Sequence, residues 1–460
     1  MLLQFVNAPP DICVNVRNDV SIPRSWLRFV HIALVCVAAV LGYTMRRIRL
    51  GVSSPEVVER LRGEVLARLL QRLGATFIKF GQILSTRPDL LPPAYVEALA
   101  RLQDRVAPAP LARVQALLEE ELPAELRARI VSMGEEPIAA ASVAQVYRAE
   151  LDNGRVIALK LQRPAAALQV ERDLAILGFW ARLLDRIRAV RMLSLPGAVG
   201  RFGEALHNQL DFRREARNNH RFRANFAEVD GVDVPELIEE LCTGRVLAME
   251  FIQGVKATEP EKVGGDRARL ARIGGETVLK MAFSDGYVHA DLHPGNIILT
   301  PDDRVVLIDL GMVTEIPNDM LRPWVETFMA LSQQDGAKAA RIFYGYAPSV
   351  GDTDYAGFER DVIENLGGLY GKKLGEVEVG EAVSGMMNVL RKHHVQIDPT
   401  FTVVNIAMLV AEGLGKQLDP TIDLIALAAP YLARAMLEAP PGRAPLREPP
   451  APASGHAALA

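Results

Sequence analysis

Asp291, Asn296 and Asp309 stand in an order that suits phosphoryl transfer. That chemistry needs one carboxylate at the acceptor, to orient or deprotonate it. It also needs an amide oxygen and a second carboxylate to hold Mg²⁺ on the phosphates. The first two residues lie in Tyr287-Val288-His289-Ala290-Asp291-Leu292-His293-Pro294-Gly295-Asn296; the third follows the strand-like run Val305-Val306-Leu307-Ile308 and opens Asp309-Leu310-Gly311. Any one of them alone reads as a polar turn residue beside an ordinary buried strand, whereas two such motifs one loop apart are a specific signal. His289 and His293 are spaced like a metal pair, but Pro294 and Gly295 break the helix such a pair needs, so structural histidines in a tight loop are expected.

The D-x-x-x-x-N spacing matches the catalytic loop of protein kinases, and D-L-G stands where a kinase has D-F-G. Such a site needs a phosphate-covering turn, a strand-borne lysine and a helix-borne glutamate. Ala139-Ala140-Ala141-Ser142-Val143 is a small-residue turn leading into an alternating strand, Asp152-Asn153-Gly154 signals a hairpin, and Val156-Ile157-Ala158-Leu159-Lys160 resembles the kinase V-A-I-K strand. Backbone N–H groups of the turn can face phosphate, although three β-carbons make it stiffer than a glycine loop. Phe202 to Phe222 reads as one long helix carrying Asp211, Glu215 and Asn218, with Glu215 the candidate partner of Lys160. Val246 to Gly254 reads as the strand linking two lobes, which places Met249, Glu250 and Ile252 along an adenine edge. Residues 266–283 read as the helix before the catalytic loop, and the chain after Gly311 is helical to about residue 436.

The 460 residues are 49% hydrophobic with a formal net charge of −4, which gives a globular chain of two to three domains and excludes bulk nucleic-acid binding. The 3 cysteines are scattered, so neither a disulfide framework nor a zinc site is expected. Near the start, Trp26 to Tyr43 is an apolar stretch followed by Arg46, Arg47 and Arg49. A buried helix, a helix in the membrane interface and a marginal span all fit this pattern. Pro55 to Leu73 is an amphipathic helix ended by Gly74, and Lys79-Phe80-Gly81-Gln82 follows with nothing that by itself marks a site.

Together these motifs resemble the UbiB family of atypical, protein-kinase-like proteins, which are linked to ubiquinone and other isoprenoid-lipid metabolism in bacteria, mitochondria and plastids. The resemblance runs from about Pro55 to about Met436. It identifies Lys79-Phe80-Gly81-Gln82 as the family's K-x-G-Q motif, carried by an N-terminal extension over the active site. Ala139 to Ser142 fits its alanine-rich loop, Lys160 and Glu215 its ion pair, and His289 to Asn296 its H-x-D-x-H-P-G-N loop. The chain departs from the family at Gln209-Leu210-Asp211, where E-x-D is usual, so an amide replaces the first carboxylate expected to face Lys79.

The resemblance implies an α+β, bilobal protein-kinase-like fold with a helical N-terminal extension and a mainly α-helical C-terminal lobe. The expected divisions are an N-terminal segment (1–54) with the membrane-associated stretch 26–43, the extension (55–130), an N-lobe (131–254), a C-lobe (255–438) and a disordered Pro/Ala tail (439–460). The implied function is an Mg²⁺-dependent ATPase or kinase-like regulator supporting ubiquinone biosynthesis at a membrane, with a true kinase and a nucleotide-binding scaffold as alternatives. The cofactors would be ATP or ADP with Mg²⁺. Asp291 would be catalytic, and Asn296 and Asp309 would hold the metal. Ala139 to Val143, Lys160, Glu215, Met249, Glu250 and Ile252 would bind nucleotide, with Lys79, Gln82 and Asp211 regulatory. The partners would be enzymes of an isoprenoid or quinone lipid pathway and membrane lipids. The place would be the cytoplasmic face of a bacterial inner membrane, peripheral or single-span, or a mitochondrial or plastid counterpart.

Overall fold

The computed structural model describes residues 22–51, 54–85, 91–102, 108–186, 195–351, 354–367 and 379–450. Four helices come first: α1 (Ile22–Leu50), α2 (Pro55–Leu73), α3 (Ala75–Ser85) and α4 (Pro93–Ala100). Pro55 opens α2 where a missing N–H costs nothing, and Gly74 ends it at φ +95°, a conformation that favours glycine. At Gly63 a Cβ would stand 2.7 Å from the Ala94 carbonyl oxygen, so α2 and α4 approach as closely as they do only because that side chain is absent. Leu70, Leu73, Phe77, Ile78, Leu99 and Leu102 form the core of this extension.

Helix α1 docks by one face, through Ile32, and leaves Leu34, Val37, Val40, Leu41, Met45 and Ile48 exposed. Its segment Leu27–Arg49 is long and apolar enough to cross a membrane. So open a helix is not the buried element that composition allowed. Arg28, which interrupts the apolar run, reaches Asp173 with Nε and Nη2 (2.7 and 3.0 Å), and Nη2 also donates to the Leu73 carbonyl at 2.6 Å. Asp173 is fully buried, so this ion pair is sealed inside the joint.

After α5 (Leu111–Glu121), strands β1 (Ile130–Met133), β2 (Ala139–Ala140), β3 (Ala144–Leu151) and β4 (Val156–Gln162) begin the N-lobe. The hairpin between β3 and β4 turns at Gly154, φ +79°, with the Asn153 side chain accepting from the Arg155 N–H. Helices α6 (Ala166–Leu184), α7 (Leu195–Leu210) and α8 (Phe212–Phe226) follow, then β5 (Val232–Asp233) and β6 (Val246–Glu250). The antiparallel order β1-β3-β4-β6 sets Lys160 opposite Val146 and Leu247, and Ala158 opposite Met249. Directly paired residues share a sheet face, so Lys160, Ala158 and Met249 look the same way, toward α8. The other face, with Tyr147, Ile157, Leu159 and Leu161, is covered by Val114, Leu117 and Leu118 of α5.

The helix expected over Phe202–Phe222 is two. It breaks at Asp211, which has extended backbone (φ −96°, ψ 97°) and caps α8 by accepting from the Arg213 N–H. Asp211 and Glu215 therefore do not share a helix face. Asp is a poor interior residue and a good N-cap because its carboxylate competes for backbone N–H groups.

The C-lobe carries β7 (Val255–Lys256), α9 (Arg267–Phe283), β8 (Tyr287–His289), β9 (Ile297–Leu299), β10 (Val305–Leu307) and β11 (Val313–Glu315). It then continues with α10 (Asn318–Ser332), α11 (Gly336–Tyr346), α12 (Tyr355–Gly367), α13 (Val379–Lys392), α14 (Pro399–Leu418) and α15 (Leu424–Glu438). Residues 439–450, expected to begin a structureless tail, lie along α10 and α11. The Arg443 N–H donates to Asp319, the Leu446 N–H donates to Gly345, and Tyr346 Oη donates to the Arg443 carbonyl. Residues 451–460 lie outside the described part.

Candidate active site

Lys160 ends the V-A-I-K run on β4, and its Nζ lies 2.7 and 2.9 Å from the two Glu215 oxygens. The same ammonium donates to Asp309 Oδ1 at 3.0 Å. One cation thus serves two carboxylates. Burial alone would lower the Lys160 pKa, but the charges of Asp309 and Glu215 outweigh it and hold the ammonium well above its ordinary value. Burial raises the Glu215 carboxyl against the pull of Lys160, and the Asp309 charge adds to the rise. For Asp309 burial acts upward too, but Lys160 dominates and keeps this carboxyl well below the usual range, with Lys79 contributing. The Asp309 side chain is 48% exposed, whereas that of Glu215 is 5% exposed, so Asp309 is the carboxylate that faces the cleft.

The catalytic loop leaves β8 and folds on itself. His289 is buried, and its Nδ1 accepts from the Asp291 N–H at 3.1 Å, while His293 Nδ1 accepts from the Gly295 N–H at 3.0 Å. Both histidines shape the loop, as expected. Burial keeps the His289 imidazole below its ordinary pKa, and so neutral near pH 7. Asn296 donates its amide N–H to the Asp291 carbonyl at 3.1 Å, which ties the two expected functional residues together and leaves the amide oxygen as an acceptor.

The alanine turn is tight. Ala139 and Ala140 pair with Val146 and Gln145, the Ala141 N–H donates to the Ala144 carbonyl at 2.8 Å, and Ser142 is buried. Val143 packs against both α7 and α8. Met249 and Glu250 end β6, and the Glu250 N–H is taken by the Glu236 carbonyl at 2.8 Å; Ile252 is half-buried just beyond.

The K-x-G-Q motif lies on α3. Phe80 and Ile83 pack on the cluster of Val170, Phe202, Leu206 and Leu210, against which Val143 of the alanine turn also packs, and this brings the extension against the N-lobe. Lys79 is close enough for its charge to lower Asp309. Gly81 is a packing requirement, since a Cβ there would lie 2.4 Å from Leu102 Cδ1 and 2.8 Å from Leu70 Cδ1. Gln82 turns inward, its amide donating to the Leu102 carbonyl at 3.1 Å, so this bond braces the extension. Gln209, at the departure from E-x-D, has a buried Oε1 with no hydrogen-bond partner. Asp211 serves as the α8 cap.

The donor set suits Mg²⁺ delivered with phosphates. Among the described residues no cluster of three His, Cys, Asp or Glu stands ready to hold a metal alone. Mg²⁺ on nucleotide phosphates needs only one or two carboxylates, with substrate oxygens and water completing its shell. Asp309 offers such a carboxylate and Asn296 an amide oxygen.

Residues 101–343 match the ABC1 atypical kinase-like domain, and residues 362–423 match the UbiB helical domain. Lys160, Glu215, Asp291, Asn296 and Asp309 all fall within the first match, while Lys79 and Gln82 precede it. Among solved structures, Rv3197 from Mycobacterium tuberculosis, determined as a complex with erythromycin, has the same fold. It is 23% identical, with a TM-score of 0.55 over 85% of this chain and 99% of that one. Since the kinase-like match alone spans more than half of the 460 residues, the chain belongs to the UbiB family of ABC1 atypical kinase-like proteins.

Proposed function

We propose that this chain is an Mg²⁺-dependent ATPase or kinase-like regulator that supports ubiquinone biosynthesis at a membrane. The observation that carries the proposal is the Lys160–Glu215–Asp309 cluster set beside an Asn296 that is already bonded to Asp291. In this reading Lys160, aimed by Glu215, contacts the nucleotide phosphates. Asp309 and Asn296 hold Mg²⁺, which when bound offsets phosphate charge. The alanine turn covers the phosphates, and Met249, Glu250 and Ile252 border the base. Asp291 orients or deprotonates the acceptor, a water or a hydroxyl. The extension, seated near the alanine turn with the Lys79 charge felt at Asp309, narrows access for large acceptors, which favours ATPase or regulator over protein kinase.

Support for the membrane comes from α1. Beside its exposed apolar side chains, Phe29 of α1 meets Phe179 and Trp180 of α6, which with Leu183 are also exposed, and Arg46, Arg47 and Arg49 follow. Apolar side chains edged by arginines suit a bilayer interface. The test is phosphate release from Mg-ATP, with and without anionic vesicles and a phenol-like quinone precursor, for wild type and Asp309→Asn. Vesicle-stimulated release that disappears in the variant is expected. Labelled phosphate on an added protein or metabolite would make the chain a true kinase, and no chemistry of either kind would make it a scaffold.

A further inference from the structure

Glu215 is not the only residue that α8 sends across to the metal-ligand segment. Asn218, three residues on and so on the same helix face, donates its amide N–H to the Leu310 carbonyl at 2.7 Å. The Leu310 backbone also lies close enough to the Glu215 carboxylate to favour its charged form. One helix therefore meets the residue that follows Asp309 at two points. The other side of Asn218 is also engaged: Tyr287 Oη donates to its Oδ1 at 2.8 Å. Tyr287 opens β8, the strand that delivers His289 and Asp291, and β8 pairs with β11 just past Gly311. The Tyr287 ring is fixed by Arg221, stacked 4.0 Å from its centroid, and by Phe222 at 5.2 Å, both from α8.

We infer that Asn218 is a positioning residue, the junction through which α8 holds Asp309 and the catalytic strand in register. It touches neither metal nor nucleotide. One of its bonds fixes the peptide after Asp309 and the other ties that point to β8 through Tyr287, so that the carboxylate meets Mg²⁺ without reorganising. Asparagine is a poor helix former, and alanine a better one, in a helix interior. Loss of function in Asn218→Ala is therefore not a failure of α8 to form. The segment itself has little slack: a Cβ on Gly311 would sit 3.3 Å from Asp309 Oδ1 and 3.4 Å from Glu215 Oε2. The inference rests on the nucleotide-and-Mg²⁺ reading of the site for its consequence, but not for the clamp itself.

Two measurements on the full chain separate them. The first is hydrogen exchange across residues 309–313 without ligand. The second is the Mg²⁺ concentration needed for half-maximal binding of a fluorescent ATP analogue. In Asn218→Ala both are expected to rise about tenfold, the worth of one or two buried hydrogen bonds. Asn218→Asp, which sets a carboxylate against the Leu310 carbonyl, should exceed that, while Tyr287→Phe, which removes one bond and keeps the fold, should shift both about threefold. Mg²⁺-free nucleotide binding should stay unchanged in all three variants. Unaltered exchange in Asn218→Ala and Tyr287→Phe would overturn the clamp. Faster exchange with an unchanged Mg²⁺ requirement would overturn the positioning role. A wild type whose nucleotide binding ignores Mg²⁺ would overturn the proposed function instead, with exchange still deciding the clamp.

Discussion

The cleft and the extension lie side by side and are held by opposite means. In the cleft, directed polar bonds converge on a few atoms: Lys160 to two carboxylates, Asn218 to Leu310, Asn296 to Asp291. One ammonium there is shared between two carboxylates. In the extension, helices pack through Leu70, Phe77, Ile78 and Leu99, and the buried charge pair, Arg28 with Asp173, is matched one to one. A directional network with a shared ammonium responds to an arriving cation, because its energy changes when charge is added. A balanced, apolar joint has no comparable lever and acts as a brace.

Substitutions in the two regions should therefore fail differently. Asp309→Asn should have the largest effect on binding. Outer-shell partners of a metal are worth about 10–100-fold, so loss of the charged ligand itself should weaken Mg²⁺-dependent ATP binding by at least about a hundredfold, read by titration of a fluorescent nucleotide. Asp173→Ala should barely alter Mg²⁺-free nucleotide affinity, yet it strands a buried Arg28. A cost of about 3 kcal/mol is expected in denaturant unfolding, since breaking one partner of a buried pair costs roughly 3–5 kcal/mol. Unchanged unfolding would mean the joint is not what the ion pair suggests. Gly81→Ala forces a Cβ against two leucine ends and should destabilise the extension by about 1–2 kcal/mol, seen as earlier proteolysis of α2–α4 than of the lobes. Ala140→Gly should do least to stability, under about 1 kcal/mol. Its freer turn should shift nucleotide preference or raise autophosphorylation, and identical profiles would count against a phosphate-covering role.

The polar half of this contrast was more legible in the sequence than the apolar half. Lys160, Asp291, Asn296 and Asp309 stand at spacings that suit the chemistry; β4 carries Lys160, and β8 leads into the loop that holds Asp291 and Asn296. The Asn153-Gly154 turn and the Gly74 stop are local effects, and local effects read well. The break at Asp211 was hidden because apolar residues continue at helical spacing through it, although an aspartate before Phe212 is itself a cap signal. Asn218 was visible as a residue but not as a junction; its three-residue offset from Glu215 was the available clue. The Arg28–Asp173 pair joins positions 145 apart, and no periodicity links them. Alone, Arg28 looked like an obstacle to a span. The docking of residues 439–450 was equally hidden, since it rests on backbone hydrogen bonds that composition does not encode.

That arginine also determines how the body would ride on a lipid surface. The stretch Leu27–Arg49 has 23 residues, roughly 34 Å at about 1.5 Å per residue, against a hydrocarbon thickness of about 30 Å. A flexible linker of similar length would let the lobes wander, with a reach near 5–6 Å times the square root of its residue number. Here the helix is moored at one end by a guanidinium with two partners and by Phe29 stacked on Trp180 at 5.5 Å. The cleft would therefore keep a set height and tilt above any bilayer that α1 meets, like a hull on its keel.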